Sequence, residues 1–191
     1  TLNNASTANW TSANGLGIRT GTGSVINNTG TWDAQTDGAA IVNYYGGATT
    51  FNNSGTFRKS AGTGTTSVTI LFTSTGTVDV QSGTLSLGAN GSSTGVLNVS
   101  GASATLLFAA GVFDVNAGTT VSGPGTVLLN SSGTLNVNSA LSVPAATTFT
   151  MLAGTLAGTG TLTANGTFNW SGGLMTGAGV TTVNGPFSLS G

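Results

Sequence analysis

Short alternations of apolar and polar residues run along the whole chain and are separated by glycine, asparagine and serine. Such runs occur at 77–80 (TVDV), 84–87 (TLSL), 134–138 (TLNVN) and 186–190 (PFSLS). Successive side chains of a strand point to opposite faces, so this period of two predicts half-buried β-strands. No run shows the i, i+3, i+4, i+7 spacing of an amphipathic helix. The pattern therefore predicts an all-β chain built from many short strands.

A glycine–threonine phrase followed by apolar, polar and apolar residues returns at a period of about twenty residues. Its copies are GTWDA at Gly30, GTFRK at Gly55, GTVDV at Gly76, GTLNV at Gly133, GTLAG at Gly154 and GTFNW at Gly166. So short a period in strand and turn residues is typical of a solenoid that adds one coil per repeat. We expect a right-handed parallel β-helix (β-solenoid) of triangular cross-section, with about nine coils of roughly twenty residues. Coils about 4.8 Å apart would make a rod about 40 Å long.

One apolar position per coil defines a column that should face the interior as a core ladder. Its members are Trp10, Trp32, Phe57, Val78, Leu97, Phe113, Leu135, Leu156 and Met175. The residue after each should face water, and only Ala157 among these neighbours is apolar. Two further columns follow the same spacing, namely Val127, Phe149, Phe168 and Phe187, and Val121, Val143 and Leu162.

Composition narrows the possible functions. Only 4% of the 191 residues are charged, against about 25% in an ordinary globular domain. Three basic residues cannot form a face that binds phosphates, so nucleic acid is excluded as a partner. The sequence contains no run of eighteen apolar residues, so it predicts no membrane insertion. A cysteine-free, nearly uncharged chain rich in Thr, Ser and Asn suits an extracellular or cell-surface protein, whose stability must come from stacking because disulfides are absent.

Few residues could carry chemistry. Asp33, Arg58 and Asp79 occupy equivalent outward positions on three successive coils and should form a surface ladder. Paired carboxylates on a β-helix could act in polysaccharide cleavage. The basic residue between them favours a structural ladder that avoids like-charge contacts. Because His, Cys and Glu are absent, the sequence predicts no catalytic residue, no cofactor and no metal site.

Three polar or aromatic features leave binding functions open. A flat face of Thr-x-Thr pairs could bind ice, although among the pairs opened by the repeated phrase only Thr161 and Thr163 fit. Tyr44 and Tyr45, in a longer excursion at 39–50, form the best exposed pair for a ligand such as a sugar. The repeated Asn pairs at 3–4, 27–28 and 52–53 could stack in register and hydrogen-bond along the axis.

Several phrases also resemble a known family. The segments NNSGTFRKSAGTGTT (52–66), GTVDVQSGTLSL (76–87) and GTLTANGTFNWSGGLMTGAG (160–179) are similar to the tandem modules of giant bacterial β-strand-repeat surface proteins. These are adhesin-like β-solenoids in the style of filamentous haemagglutinin. The resemblance covers nearly the whole chain and implies an extracellular scaffold, with no catalytic residues to assign. It also implies that segment 185–191 leads into another copy of segment 1–6.

The sequence thus predicts a single domain over 1–191, one module of a longer repetitive protein or filament. We expect a non-enzymatic structural module of an extracellular fibre or adhesin. Its expected partners are copies of itself stacked end to end, in the same chain or in neighbouring subunits, and, as a further partner, surface glycans. The alternative is a carbohydrate- or ice-binding module that uses a flat Thr/Asn face. A polysaccharide-active β-helix enzyme is the third hypothesis.

Overall fold

The chain winds into a β-solenoid of about nine turns of about 21 residues, as described by a computed structural model for residues 1–12 and 15–191. The described residues contain no helix, and every strand pairing in them is parallel. Each coil contributes three short strands, one to each of three faces. The predicted fold class, an all-β parallel solenoid, is confirmed.

The first face is a nine-stranded sheet that runs the length of the rod. Its strands, in stacking order, are β1 (Leu2–Asn4), β4 (Ser24–Asn28), β7 (Thr49–Asn53), β10 (Leu71–Ser74), β13 (Gly91–Ser93), β16 (Val112–Val115), β19 (Thr134–Val137), β22 (Thr155–Gly158) and β25 (Leu174–Met175).

The second face is divided into two sheets. Six strands form the first of them: β2 (Thr7–Trp10), β5 (Thr31–Ala34), β8 (Thr56–Lys59), β11 (Thr77–Val80), β14 (Val96–Asn98) and β17 (Thr120–Ser122). Three strands form the other: β20 (Leu141–Val143), β23 (Thr161–Ala164) and β26 (Val180–Val183).

The third face is again a nine-stranded sheet. Its strands are β3 (Ile18–Thr20), β6 (Ala40–Asn43), β9 (Thr65–Thr69), β12 (Thr84–Leu87), β15 (Thr105–Phe108), β18 (Thr126–Leu129), β21 (Thr148–Met151), β24 (Phe168–Trp170) and β27 (Phe187–Leu189). We call the turns from first to second face, second to third, and third to the next coil the first, second and third corners.

The predicted core ladder points inward but belongs to two faces, so its assignment to one column is corrected. Trp32, Phe57, Val78 and Leu97 are successive partners on the second face, where Val121 follows them. Phe113, Leu135, Leu156 and Met175 are successive partners on the first face. Trp10 lies opposite Ala34, not Trp32. All nine are buried except Met175, which packs against the core from the last coil.

The reason for this correction is that the glycine–threonine phrase opens strands on all three faces. Thr31, Thr56 and Thr77 begin strands of the second face, and Thr134 and Thr155 begin strands of the first. The copy at Gly166 precedes β24 of the third face. Every corner needs a tight turn followed by a strand, so the local sequence is the same at each. The column of Val127, Phe149, Phe168 and Phe187 is confirmed, whereas Leu162 pairs with Leu141 and Val143 with Ala164.

Glycine is required at the first corner because consecutive coils touch there through their backbones. A Cβ on Gly55 would collide with the carbonyl oxygen of Gly30, and one on Gly76 with that of Gly55. The next coil repeats the arrangement, since a Cβ on Gly95 would collide with the carbonyl oxygen of Gly76. The third, fourth and fifth coils can therefore stack at the spacing of a parallel sheet only because this position has no side chain, whereas the seventh coil turns the same corner with Ser139.

An inner ladder of amides runs along the same corner, inside the solenoid. Nδ2 of Asn4 donates to Oδ1 of Asn28 at 2.7 Å, and Nδ2 of Asn28 donates to Oδ1 of Asn53 at 2.7 Å. Asn53 then donates to Oγ of Ser74 at 3.0 Å. Each amide also donates to a threonine carbonyl of the following coil, as Asn28 does to Thr56 at 2.9 Å. The prediction that the asparagines stack and hydrogen-bond along the axis is confirmed.

An outer ladder lies one residue earlier and runs in the opposite direction. Nδ2 of Asn27 donates back to Oδ1 of Asn3 at 2.8 Å, and Nδ2 of Asn52 donates back to Oδ1 of Asn27 at 2.9 Å. Thr73 ends the series with a 2.8 Å bond to Asn52. These side chains are partly or fully exposed, whereas Asn28 and Asn53 are buried. The inner ladder is therefore the one on which stability should depend.

We predict that Asn28→Asp lowers the free energy of unfolding by about 3–5 kcal/mol at pH 7, because a buried carboxylate would face the oxygens of Asn53 and Thr56. The matched outer variant Asn27→Asp should cost about 1 kcal/mol or less. Urea unfolding followed by circular dichroism measures both. Equal losses for the two variants would contradict the importance assigned to the inner ladder.

Candidate functional site

The surface ladder predicted from Asp33, Arg58 and Asp79 forms on the second face. Arg58 is the strand partner of Asp33 on one side and of Asp79 on the other. Nη2 of Arg58 lies 2.7 Å from Oδ2 of Asp33. Asp79 accepts instead from neutral groups, at 2.7 Å from Gln81 and Ser100 and at 2.9 Å from Asn98. The ladder therefore contains one ion pair and one carboxylate held by neutral donors.

Asp33 is almost fully buried although it points outward, with 2% of its surface exposed. Burial alone would raise the pKa of its carboxyl. Hydrogen bonds from Arg58, Ser60 and Gln35, together with the charge of Arg58, outweigh burial and hold the pKa below its usual value. The same contact raises the pKa of the Arg58 guanidinium. Asp33 is thus a permanently ionised group at neutral pH.

A second ion pair, which the sequence analysis did not predict, lies at the second corner. Lys59 is fully buried, and its Nζ donates to Oδ1 of Asp37 at 2.9 Å and to the carbonyl of Ala61 at 2.8 Å. Backbone N–H of Gly64, and then Lys59, lower the pKa of the exposed Asp37 carboxyl. The sequence signal was available, since Lys59 lies two residues after the inward-facing Phe57 and therefore shares its side of the strand.

These contacts are unsuited to acid–base catalysis. A general acid needs a carboxyl that is protonated near neutral pH, and the pKa of Asp33 is lowered, not raised. Asp79 is engaged by three donors from its own and the next coil. The geometry therefore favours the structural interpretation of the ladder over cleavage of a polysaccharide.

Threonines form single files on two faces, which bears on the ice-binding alternative. On the second face, Thr7, Thr31, Thr56 and Thr77 are aligned, but the neighbouring file carries Asp33, Arg58 and Asp79. On the third face one file consists of threonines, namely Thr65, Thr84, Thr105, Thr126 and Thr148. The file beside it is mixed and consists of Ser67, Ser86, Leu107, Leu128 and Thr150. The Thr161/Thr163 pair is aligned with Val180 and Thr182. Neither face therefore carries regular Thr-x-Thr rows over successive coils, which is the pattern that the ice-binding alternative requires.

Both ends of the rod leave core positions uncovered. Leu2 is 50% exposed although its strand partner Ile26 is buried. At the other end, Phe187 is 53% exposed next to the buried Phe168, and Leu189 is 68% exposed. These side chains point into the solenoid, so they are exposed only because no coil lies over them. The strands β1, β2 and β3 at one end and β25, β26 and β27 at the other are the last in their sheets, each with one free edge.

Metal clusters and membrane-spanning helices are absent from the part of the chain that the structure describes. Among residues 1–12 and 15–191, no group of three or more His, Cys, Asp or Glu side chains could hold a metal ion. The same residues contain no helix long and apolar enough to cross a membrane. Comparison with protein-family models gives no match, and comparisons with curated proteins and with solved structures give no significant match.

We predict that the protein loses stability as the pH falls below about 4. The pKa values of Asp33 and Asp37 are lower when folded than the ordinary value near 3.9, so their contribution is complete above that value. It is lost as the pH falls through the folded-state pKa, because the unfolded chain binds protons first.

Urea titrations at pH 7, 4 and 2.5 measure this loss. Asp33→Asn should be less stable than the wild type at pH 7, and the difference should shrink toward pH 2.5. A wild-type unfolding free energy that does not change over this range would contradict the prediction.

Proposed function

We propose that the protein is a structural module of an extracellular fibre or adhesin, non-enzymatic, whose copies stack end to end. The observation that carries this proposal is that Leu2 in the first coil and Phe187 and Leu189 in the last are core positions that a further coil would cover, whether that coil belongs to the same chain or to a neighbouring subunit. Solenoids that end in solvent normally cover such positions with a polar cap, because exposed strand edges and apolar cores associate.

The face order at the two ends favours a head-to-tail joint. The last coil presents β25, β26 and β27, and the first presents β1, β2 and β3, in each case on the first, second and third face. A copy added by translation and rotation along the axis would continue all three faces with parallel strands. Because this contact joins two different surfaces and adds each copy along the same axis, it does not close into a ring and generates an open filament.

The interior of the rod supports a mechanical role. Aromatic rings pack across the coils, with centroids 5.3 Å apart for Trp32 and Phe51 and 5.2 Å for Phe149 and Phe168. The two asparagine ladders add hydrogen bonds along the axis over the first coils. Such a rod resists bending, and its low charge gives little repulsion between neighbours. The extracellular location rests on composition and on the resemblance of the repeats to bacterial surface proteins.

We predict that the protein forms filaments whose length rises with concentration, and that Phe187→Asp with Leu189→Asp abolishes them. Two carboxylates on the open core would have to be buried without partners at the joint, which is strongly unfavourable. Sedimentation velocity and negative-stain electron microscopy measure the assembly.

The matched control is Val112→Asp with Leu152→Asp, which places two carboxylates at exposed apolar positions on the sides of the rod. This control should assemble like the wild type. A wild-type protein that stays monomeric up to about 1 mM would overturn assembly between separate subunits, since the open ends would then carry too little association energy for a fibre without a covalent link.

A further inference from the structure

The third corner of the second coil forms a loop that projects from the side of the rod. Residues 44–48 connect β6 and β7, whereas Ile70 alone makes the same connection between β9 and β10 in the next coil. The loop contains Tyr44 and Tyr45, which are 57% and 71% exposed. Two large aromatic side chains therefore lie in solvent. The other aromatic side chains of the described residues are buried or partly buried, apart from Phe187 in the last coil.

The loop is held in place by several hydrogen bonds. The backbone N–H groups of Tyr44 and Tyr45 donate to the carbonyl of Thr20 at 2.9 and 3.1 Å. Nδ2 of Asn43 closes the loop with a 2.6 Å bond to the carbonyl of Gly47. Gly46 and Gly47 adopt φ values of 77° and 78°, a conformation that favours glycine. The tyrosines are thus presented by a preorganised turn, which reduces the entropy lost on binding a ligand.

The two rings are also fixed relative to each other. Their centroids are 5.0 Å apart in an edge-to-face arrangement. The Arg19 guanidinium lies 4.2 Å from the centre of the Tyr44 ring, so one ring face is occupied by a cation–π contact. Tyr45, the more exposed of the pair, is left as the principal stacking surface.

A groove of about 340 Å³ begins at the base of the loop, where the third corners of three successive coils meet, and it is lined by Asn43 and Gly47 on either side of the two tyrosines but not by the tyrosines themselves. Asn43, Thr50, Thr69 and Asn90 contribute uncharged polar groups to its wall, and Ile70 contributes an apolar one. None of its lining residues is charged. A volume of this size is at the small end of the range for ligand pockets.

One asparagine of the groove has hydrogen-bonding capacity for a ligand, namely the exposed Asn90. Asn43 has none, because its Oδ1 is buried and its Nδ2 donates to the carbonyl of Gly47. Oδ1 of Asn90 accepts from the N–H of Val112 at 2.8 Å, so its amide N–H groups are the part left for a ligand. The amide N–H groups of Asn90 and the hydroxyl of Thr50, which can donate and accept, are therefore the groups that a sugar hydroxyl can reach in the groove.

From these features we infer that the loop and groove, defined by Asn43, Tyr44, Tyr45, Thr50 and Asn90, bind a neutral oligosaccharide. Sugar hydroxyls can both donate and accept, which matches amides and threonines, and the apolar face of a pyranose ring stacks on an exposed tyrosine. The lack of charge in the groove favours neutral sugars over acidic ones. The inference concerns the side of the rod and is independent of assembly at its ends.

The test is a titration of the ¹⁵N-labelled protein with four neutral probes, xylohexaose, cellohexaose, maltohexaose and chitohexaose, each up to about 10 mM. The protein carries Phe187→Asp and Leu189→Asp, so that filament formation does not affect the result. We expect saturable amide shifts at residues 43–50 and 89–90 with at least one probe, at a dissociation constant near 1 mM.

The variants then identify the contacts. Tyr45→Ala should weaken binding at least about tenfold through loss of the stacking surface, whereas Tyr45→Phe should stay within about twofold. Thr50→Val, which removes one hydroxyl at nearly constant volume, should weaken binding severalfold. Leu152→Ala, an exposed apolar side chain at the same corner of a later coil, is the matched control and should bind normally.

Three results would overturn the inference. The first is the absence of saturable shifts with all four probes. The second is binding that Tyr45→Ala does not weaken. The third is a set of shifts at this corner that appears only when the protein's own concentration is raised, which would identify the tyrosines as a contact between copies.

Discussion

Parallel pairing between successive coils is the constraint on which the rest of the structure depends. In this geometry each side chain lies directly over its equivalent one coil away, about 4.8 Å distant. Equivalent side chains of successive coils therefore stack on one another, which is favourable for apolar rings and for amides but unfavourable for charges of the same sign. This accounts for the 4% of charged residues and for the order of Asp33, Arg58 and Asp79, where the cation separates the two carboxylates. A charged side chain without such a partner would lie over a charge of the same sign or over an uncharged side chain, and it would gain no ion pair from the stacking.

Asparagine suits this stacking because one amide can donate to the next copy and accept from the previous one. The inner ladder donates toward later coils, from Asn4 to Asn28 to Asn53, and the outer ladder donates toward earlier ones. The backbone at the same corner follows the same logic, since the carbonyl of Asn28 accepts from the N–H groups of Ser54 and Gly55. The glycines of the repeated phrase and the asparagine pairs that precede them thus meet a single requirement, namely that successive coils meet closely at this corner without leaving a buried polar group unpaired there.

The fold could be predicted from the sequence because strand period and coil period are both local properties. The face to which each strand belongs could not, because Thr56 on the second face and Thr134 on the first follow the same glycine turn. Coil length also varies, so that Phe72 and Gly91 are partners 19 residues apart while Ile41 and Val68 are 27 apart. Counting about twenty residues per coil therefore moves the predicted core column from the second face to the first after Leu97. Tyr44 and Tyr45 could be predicted as exposed from their irregular context, but the groove beside them depends on three corners brought together by the coil register.

The same register limits what a joint between copies could be. On the first face, continuing the pairing of Leu156 with Met175 by one more coil would place Leu2 of the next copy over Met175. The apolar ladder would then run across the joint. Asn4 would lie over Gly177, which has no side-chain amide, so the inner ladder, which ends at Ser74, would begin again only where Asn4 donates to Asn28. A joint built in this way depends on apolar contact and backbone bonds alone. Val115, Val137 and Gly158 occupy the same column in the later coils, so the joint would resemble the contacts between those coils and not the amide-linked contacts of the first three.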